Sequence, residues 1–326
     1  MNKETHIKQH FVPECYLINF SPNGKYVHIY DKKAHKSFTN SLDSIAYSPY
    51  LYEIPKKYLS EKLNIPYGSK YFEKAFFAEH IESLYAKILN KIIVQADSWK
   101  NTQENEEILT QNEKEVFAQL IGIQHLRMPN VKNDTSETYE KALLECIDII
   151  KSGITNMNPE LDNDESSIEY DKDYDTILHS KLYANQEFVS DFASQILDKH
   201  WVFYKSNSLE FYTSDNPIII KPHIKNKPNY YDGFGMEGTE IIFPISKSII
   251  MTMWDTNHFP EKQKEENTFE LLNEKEIRAY NCHQYIWANQ QVYSYSNNFT
   301  LIELLKSDND GKEILMKRPK TLVNGK

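Results

Sequence analysis

Residues able to do acid–base chemistry fall where this sequence passes from one element to the next. Ser214-Asp215-Asn216-Pro217 is a polar knot between two strand-forming runs, 209–213 and 218–221. Pro217 fixes its own φ and turns Asn216 toward extended geometry. The short side chains of Ser214, Asp215 and Asn216 bond readily to nearby backbone. Such a bend gathers acceptors at a strand end, a usual place for a site, or simply caps a turn. Glu82, His10 and Arg127 add a second carboxylate, an imidazole and a guanidinium. Together these types suit hydrolysis of a phosphodiester or related ester. Asp215, Glu82 and His10 would serve as acid and base or hold a divalent metal, and Arg127 would stabilise anionic charge in the transition state. Gln124, Ser214, Asn216 and Asn281 would hold substrate. Two other readings use the same residues. One is a non-catalytic module that recognises a small anionic ligand, a nucleotide or a partner protein. The other is a structural network built on an Arg127–Asp215 ion pair, with Gln124, His10 and Asn281 satisfying backbone groups around it.

The elements that must position these residues are readable in outline. Pro13 suits the first turn of a short helix, with Phe11, Tyr16, Leu17 and Phe20 turned inward and His10 just ahead. Ser21-Pro22-Asn23-Gly24 turns the chain into a strand over 25–31. Residues 42–68 read as irregular. From Ser69 to about Gln95 apolar residues recur at three- and four-residue steps, and Glu73, Glu79 and Glu82 lie along that helix, Glu82 near its apolar side. Thr110-Gln111-Asn112-Glu113 is a capping box. It opens a helix whose last turn carries Gln124 and Arg127 on or beside the buried face. Arg127 can there meet the helix dipole, a buried carboxylate or a phosphate. A third helix is expected from a Thr135/Ser136 cap to Gly153, with Tyr139, Leu143, Cys146, Ile147 and Ile150 as its core face. A fourth covers about 176–199. Strands follow at 201–204 and 209–213, joined as a hairpin, and at 240–246 and 249–254. A helix capped by Asn273 and Glu276 carries Asn281 and Gln284 on its apolar face, and a short strand follows it. The fold class is α+β: a helical part over about 69–199, and an antiparallel, sheet-rich part over about 200–298. An acidic loop is expected near 156–176 and a frayed tail over 306–326.

Composition narrows the function classes. The chain has 326 residues with 40% hydrophobic and 26% charged side chains, ordinary for a globular protein. Only 9 glycines are present, and neither G-x-G-x-x-G nor G-x-x-x-x-G-K occurs, which argues against a glycine-rich nucleotide fold. The net charge is −10, the wrong sign for non-specific nucleic-acid binding. Glu160 to Asp175 holds eight acids and one base, or −7, and leaves −3 for the rest. A local basic groove for nucleic acid therefore stays open. Asp171-x-Asp173-x-Asp175 lacks the Gly and Glu that a calcium loop requires. Three dispersed cysteines, Cys15, Cys146 and Cys282, make no disulfide framework. With no signal-peptide core at the start and no apolar run of about 20 residues, they point to a cytoplasmic protein that no membrane holds.

Five stretches resemble a bacterial family of unknown function, number four-two-three-eight in the domain-of-unknown-function series. They are His10-Phe11-Val12-Pro13 with Tyr16-Leu17 and Phe20, Gln124-His125-Leu126-Arg127-Met128-Pro129, Thr213-Ser214-Asp215-Asn216-Pro217, Phe243-Pro244-Ile245-Ser246, and the Asn281 helix. The family usually has Tyr where Phe11 stands and Thr where Met128 stands. The resemblance spans most of the chain and imports no activity. It implies that His10, Gln124, Arg127, Ser214, Asp215 and Asn281 belong to shared motifs and come together. A nuclease of defence or toxin type would fit a cytoplasmic protein of this kind.

Overall fold

A computed structural model describes residues 8–59, 68–101, 106–157, 170–224 and 233–307. The chain enters through β1 (Lys8–His10). Pro13 precedes the one-turn helix α1 (Glu14–Leu17), which runs on as a 3₁₀ turn, Ile18–Phe20. Tyr16, Leu17 and Phe20 are fully buried. Gly24, at φ +73°, makes the turn that a Cβ would strain. Strands β2 (Tyr26–Asp31) and β3 (Lys36–Ser41) then form a hairpin, and β4 (Tyr47–Pro49) returns to pair with β1.

The middle of the chain is helical. A π-helix, Phe72–Ile81, leads into α2 (Glu82–Ser98). α3 (Gln111–Leu126) starts at the expected capping box, Thr110 with Glu113. α4 (Pro129–Met157) begins earlier than the Thr135/Ser136 cap, because Pro129 is itself a good first helical residue. Its expected core face is not a core: Tyr139, Cys146 and Ile150 are exposed, and Leu143 and Ile147 only half-buried. The helix expected over 176–199 is two, α5 (Asp175–Ala184) and α6 (Gln186–Leu197). Asn185 between them is extended, and its side chain accepts the Phe188 amide at 3.2 Å, an N-cap that starts a new helix. Gly122 lets α6 approach α3, since a Cβ there would lie 3.0 Å from the Phe192 ring.

The C-terminal half supplies β5 (Lys199–Lys205), β6 (Thr213–Ser214), β7 (Ile219–Pro222), β8 (Thr239–Ser246), β9 (Ile249–Asp255), β10 (Phe269–Leu271), α7 (Glu274–Trp287), β11 (Gln291–Ser294) and α8 (Thr300–Ser307). Besides the two-stranded β1-β4 sheet, the described strands form a five-stranded sheet in the order β10-β5-β9-β8-β7 and a four-stranded sheet in the order β3-β2-β11-β6. All pairs are antiparallel except β10 with β5. The hairpin between 201–204 and 209–213 does not form. β5 pairs with β9 and β10, and of the 209–213 run only Thr213 continues, with Ser214, as a strand, beside β11 in the four-stranded sheet. The Phe211 amide goes instead to the Lys247 carbonyl, 2.8 Å away.

The five-stranded sheet is covered on both faces, which explains its unbroken apolar strands. Trp201, Phe203, Phe243, Met251 and Met253 belong to the core shared with α2, α3 and α6. Val202, Tyr204, Ile242, Ile250 and Trp254 pack with Ile277 of α7 on the other face. The molecule is thus an α+β protein. No helix among the described residues is long and apolar enough to cross a membrane. Residues 158–169 of the acidic loop and 308–326 of the tail lie outside the described residues.

Candidate functional site

The residues singled out in the sequence fall into two hydrogen-bond networks. The first is built on Arg127, which follows the last turn of α3 and is 1% exposed. Its guanidinium donates to Glu82 Oε1 from Nη1 at 3.4 Å and from Nη2 at 3.5 Å. It also donates to the His10 carbonyl and, from Nε, to the Tyr52 hydroxyl at 3.4 Å. Phe77 covers one face, with Cζ 4.1 Å from the ring centroid. The carbonyls that end α3 have no helical partner and need donors from outside. Tyr52 Oη donates to the Arg127 carbonyl at 2.9 Å, and His179 Nε2 donates to the Leu126 carbonyl at 2.6 Å. Gln124 Nε2 donates to the Phe11 carbonyl at 2.9 Å. So Gln124 and Arg127 together clamp His10-Phe11 against the end of α3.

Two carboxylates, Glu82 and Glu73, act on this arginine, and a third, Glu14, stands beside His10. Glu82 is 28% exposed along its side chain. Glu14 Oε1 stands 3.6 Å from His10 Nε2, too long for a hydrogen bond. Glu73 lies within the field of both Arg127 and Glu82, and burial pushes its carboxyl up to about 7. Its Oε2 has no hydrogen-bond partner. Burial also lowers the His10 pKa below the usual histidine value, against the pull of Glu14 and Glu82. The neighbouring Cys15 thiol is pushed up to about 12 by burial, so it stays protonated and unreactive at neutral pH.

Sequence patterns do not pick out Glu73 and Tyr52 as site residues. Nine positions at 3.6 residues per turn place Glu73 and Glu82 on opposite helix faces. The wider π winding, bonded i to i+5, changes that phase and lets both act on Arg127. A π-helix has no periodicity signal of its own here. Tyr52 sits in the stretch that reads as irregular.

The second network is built on Asp215. Its carboxylate accepts the backbone amides of Asn289 and Gln290, each at 2.7 Å, and of Gln291 at 3.0 Å. Ser214 Oγ donates to Gln284 Oε1 at 2.9 Å, and Gln284 Nε2 to the Pro217 carbonyl at 2.9 Å. Asn216 Nδ2 donates to the Trp287 carbonyl at 3.0 Å. Asn281 accepts the Tyr212 amide at 2.8 Å and donates to the Glu210 carbonyl at 2.9 Å. These bonds lace α7 and its exit to the polar knot. An Arg127–Asp215 ion pair does not form, because Glu82 is the carboxylate that Arg127 reaches.

Tyr16 of α1 joins the motifs. Its hydroxyl lies 2.6 Å from Thr213 Oγ1 and donates to the Pro244 carbonyl at 2.8 Å. His10, Glu82 and Asp215 do not form one ligand set. Among the described residues no group of three or more His, Cys, Asp or Glu side chains is arranged to hold a metal ion.

Fold and networks define an α+β protein whose shared motifs meet at a buried arginine–carboxylate centre and at a capped polar knot. Residues 8–298 match the family model described as "Protein of unknown function (DUF4238)", and the chain belongs to that family. No curated protein and no solved structure matches it.

Proposed function

We propose that this protein is a hydrolase that cleaves phosphodiester bonds at the Arg127 centre by general acid–base chemistry. The observation that carries the reading is Glu73: a partly buried carboxyl, pushed up to about 7, with one oxygen unpartnered, beside Glu82 and Arg127. A group titrating near neutrality is suited to give and take protons in a transition state. Cleavage of a phosphodiester asks for a base, an acid and a cation. His10, held neutral at pH 7 by burial, takes the proton of the attacking hydroxyl or water. Glu73, in its protonated form, gives a proton to the leaving oxygen. Arg127 keeps Glu82 in place and supplies positive charge. Asp215, whose oxygens receive three amides, holds the knot together with Ser214, Asn216 and Asn281.

The test is cleavage of RNA, DNA and dinucleotide substrates by the wild-type chain and by Glu73→Gln. Loss of about 100-fold or more in rate with the fold intact supports the reading. Wild-type rates no faster than buffer overturn it.

A second reading is favoured by one further observation. Gln9 Nε2, His179 Nδ1 and Tyr183 Oη are buried without hydrogen-bond partners, and the Tyr52 ring stacks on His179 and meets Tyr183 edge-on. Unpaired buried polar groups are what a recognition site offers a ligand. Thermal stabilisation by a mononucleotide or another small anion, without turnover, would identify a binding module.

A further inference from the structure

The long helix α4 leaves a patterned apolar face open. Its first turns are held to α5, where Lys132 Nζ donates to Thr176 Oγ1 at 2.9 Å. The Tyr139 ring lies 5.9 Å from Tyr170. From Lys141 to Met157 no described side chain is buried. Yet apolar residues recur there at coiled-coil spacing. Tyr139 and Cys146 take d positions, and Leu143, Ile150 and Met157 take a positions, with Ile147 and Ile154 alongside. Ile150 is 59% and Met157 90% exposed. Single exposed apolar residues are ordinary, but a repeating stripe of them marks a contact surface.

We propose that α4 pairs with α4 of a second copy of this chain, as an antiparallel two-helix coil that holds the protein as a dimer. The natural partner for a heptad seam is a helix with the same repeat, and among the described helices α4 alone leaves one open. In an antiparallel coil, a residues layer against d residues. One register sets Leu143 against the partner's Cys146 and Tyr139 against the partner's Ile150, and two-fold symmetry repeats both layers. The same register sets Ser136 against the partner's Gly153. A seam of this length buries on the order of 500 Å² per copy, about 1,000 Å² in all, the lower bound for a specific interface. Each chain carries a net charge of −10. The antiparallel arrangement sets the two bodies at opposite ends of the coil, where they repel least. Over residues 136–157 the helix carries Glu137, Glu140, Glu145 and Asp148 against Lys141 and Lys151, a net charge of −2 per copy.

Light scattering of the full chain over roughly 1–100 µM, a range that spans micromolar association, reads the dimer directly. The expected mass is twice 38.4 kDa. Leu143→Glu with Ile150→Glu should raise the dimer dissociation constant about 100-fold or more, since both charges would be buried in the seam. A short bis-maleimide should cross-link the wild-type chain and fail on Cys146→Ser, a test that does not depend on the double variant. A wild-type monomer across the range overturns the proposal. So does a double variant that stays dimeric, or a cross-link that survives Cys146→Ser.

Discussion

Arg127 satisfies four neighbours at once: the Glu82 carboxylate, the Tyr52 hydroxyl, the His10 carbonyl and the face of Phe77. Removing it leaves Glu82 without its cation and a buried carbonyl without its donor. Arg127→Met should therefore destabilise the fold by ~3–5 kcal/mol, the range for breaking a buried pair, as measured by urea unfolding. A loss below about 1 kcal/mol, typical of surface pairs, would contradict a central role. Glu73 makes a prediction of opposite sign. Its folded-state pKa of about 7 stands above the ~4.3 of an exposed glutamate. Between those values the unfolded chain loses the proton and the folded chain keeps it. The stability is thus complete below about pH 4, falls as pH rises, and levels off above about pH 7. Glu73→Gln removes this titration. It should stabilise the fold by about 1 kcal/mol at pH 8, after allowance for solvent screening, and leave it unchanged at pH 4. Urea curves at the two pH values decide it, and an equal effect at both would contradict the raised pKa. A carboxyl that weakens the fold at working pH is the kind of group that function, rather than packing, retains.

At the scale of elements, the shared motifs are seams. His10-Phe11 is clamped by the end of α3, Thr213 and Pro244 by Tyr16, and the Ser214–Pro217 knot by α7. Asp215 caps the turn after α7 with three amide contacts. Asp215→Asn puts a donor where an amide already points, and should cost about 2 kcal/mol without altering the pH dependence of any turnover. Full stability in that variant would contradict the capping role. Much of this is legible in the sequence. Both capping boxes, the β8–β9 pair and the inward faces of α1 and α7 follow from local chemistry. Gln124, Arg127 and Asn281 stand out as polar residues on apolar stripes. What is not legible is non-local. The turn after β5 says nothing of which strand β5 will pair with, so the hairpin expected over 201–213 gives way to pairing with β9 and β10. The π winding that changes the phase of Glu73 against Glu82 leaves no mark in the pattern of apolar residues. Periodicity alone also cannot tell a helix face turned to its own core, as in α3, from one left open, as in α4.

The whole molecule gathers its motifs from both ends of the chain, and residues 8 to 298 belong to one family. The N-terminal segment, α3 and the sheets share a single large core, so changes at the Arg127 centre and at the Asp215 knot are coupled to global stability. The net charge of −10 bears on substrate encounter: a polyanion is repelled at long range, and cleavage of a nucleic acid should quicken with added salt up to about 0.15 M, where the Debye length falls to ~8 Å. The most direct measurement is the rate of phosphodiester cleavage from pH 5 to 9 for the wild-type chain and Glu73→Gln. The proposed chemistry predicts a bell-shaped wild-type profile whose alkaline limb falls near pH 7, and a Glu73→Gln chain that folds but has lost that limb along with about 100-fold of its rate. A wild-type chain with no turnover, or a Glu73→Gln chain with an unchanged rate and profile, would contradict it.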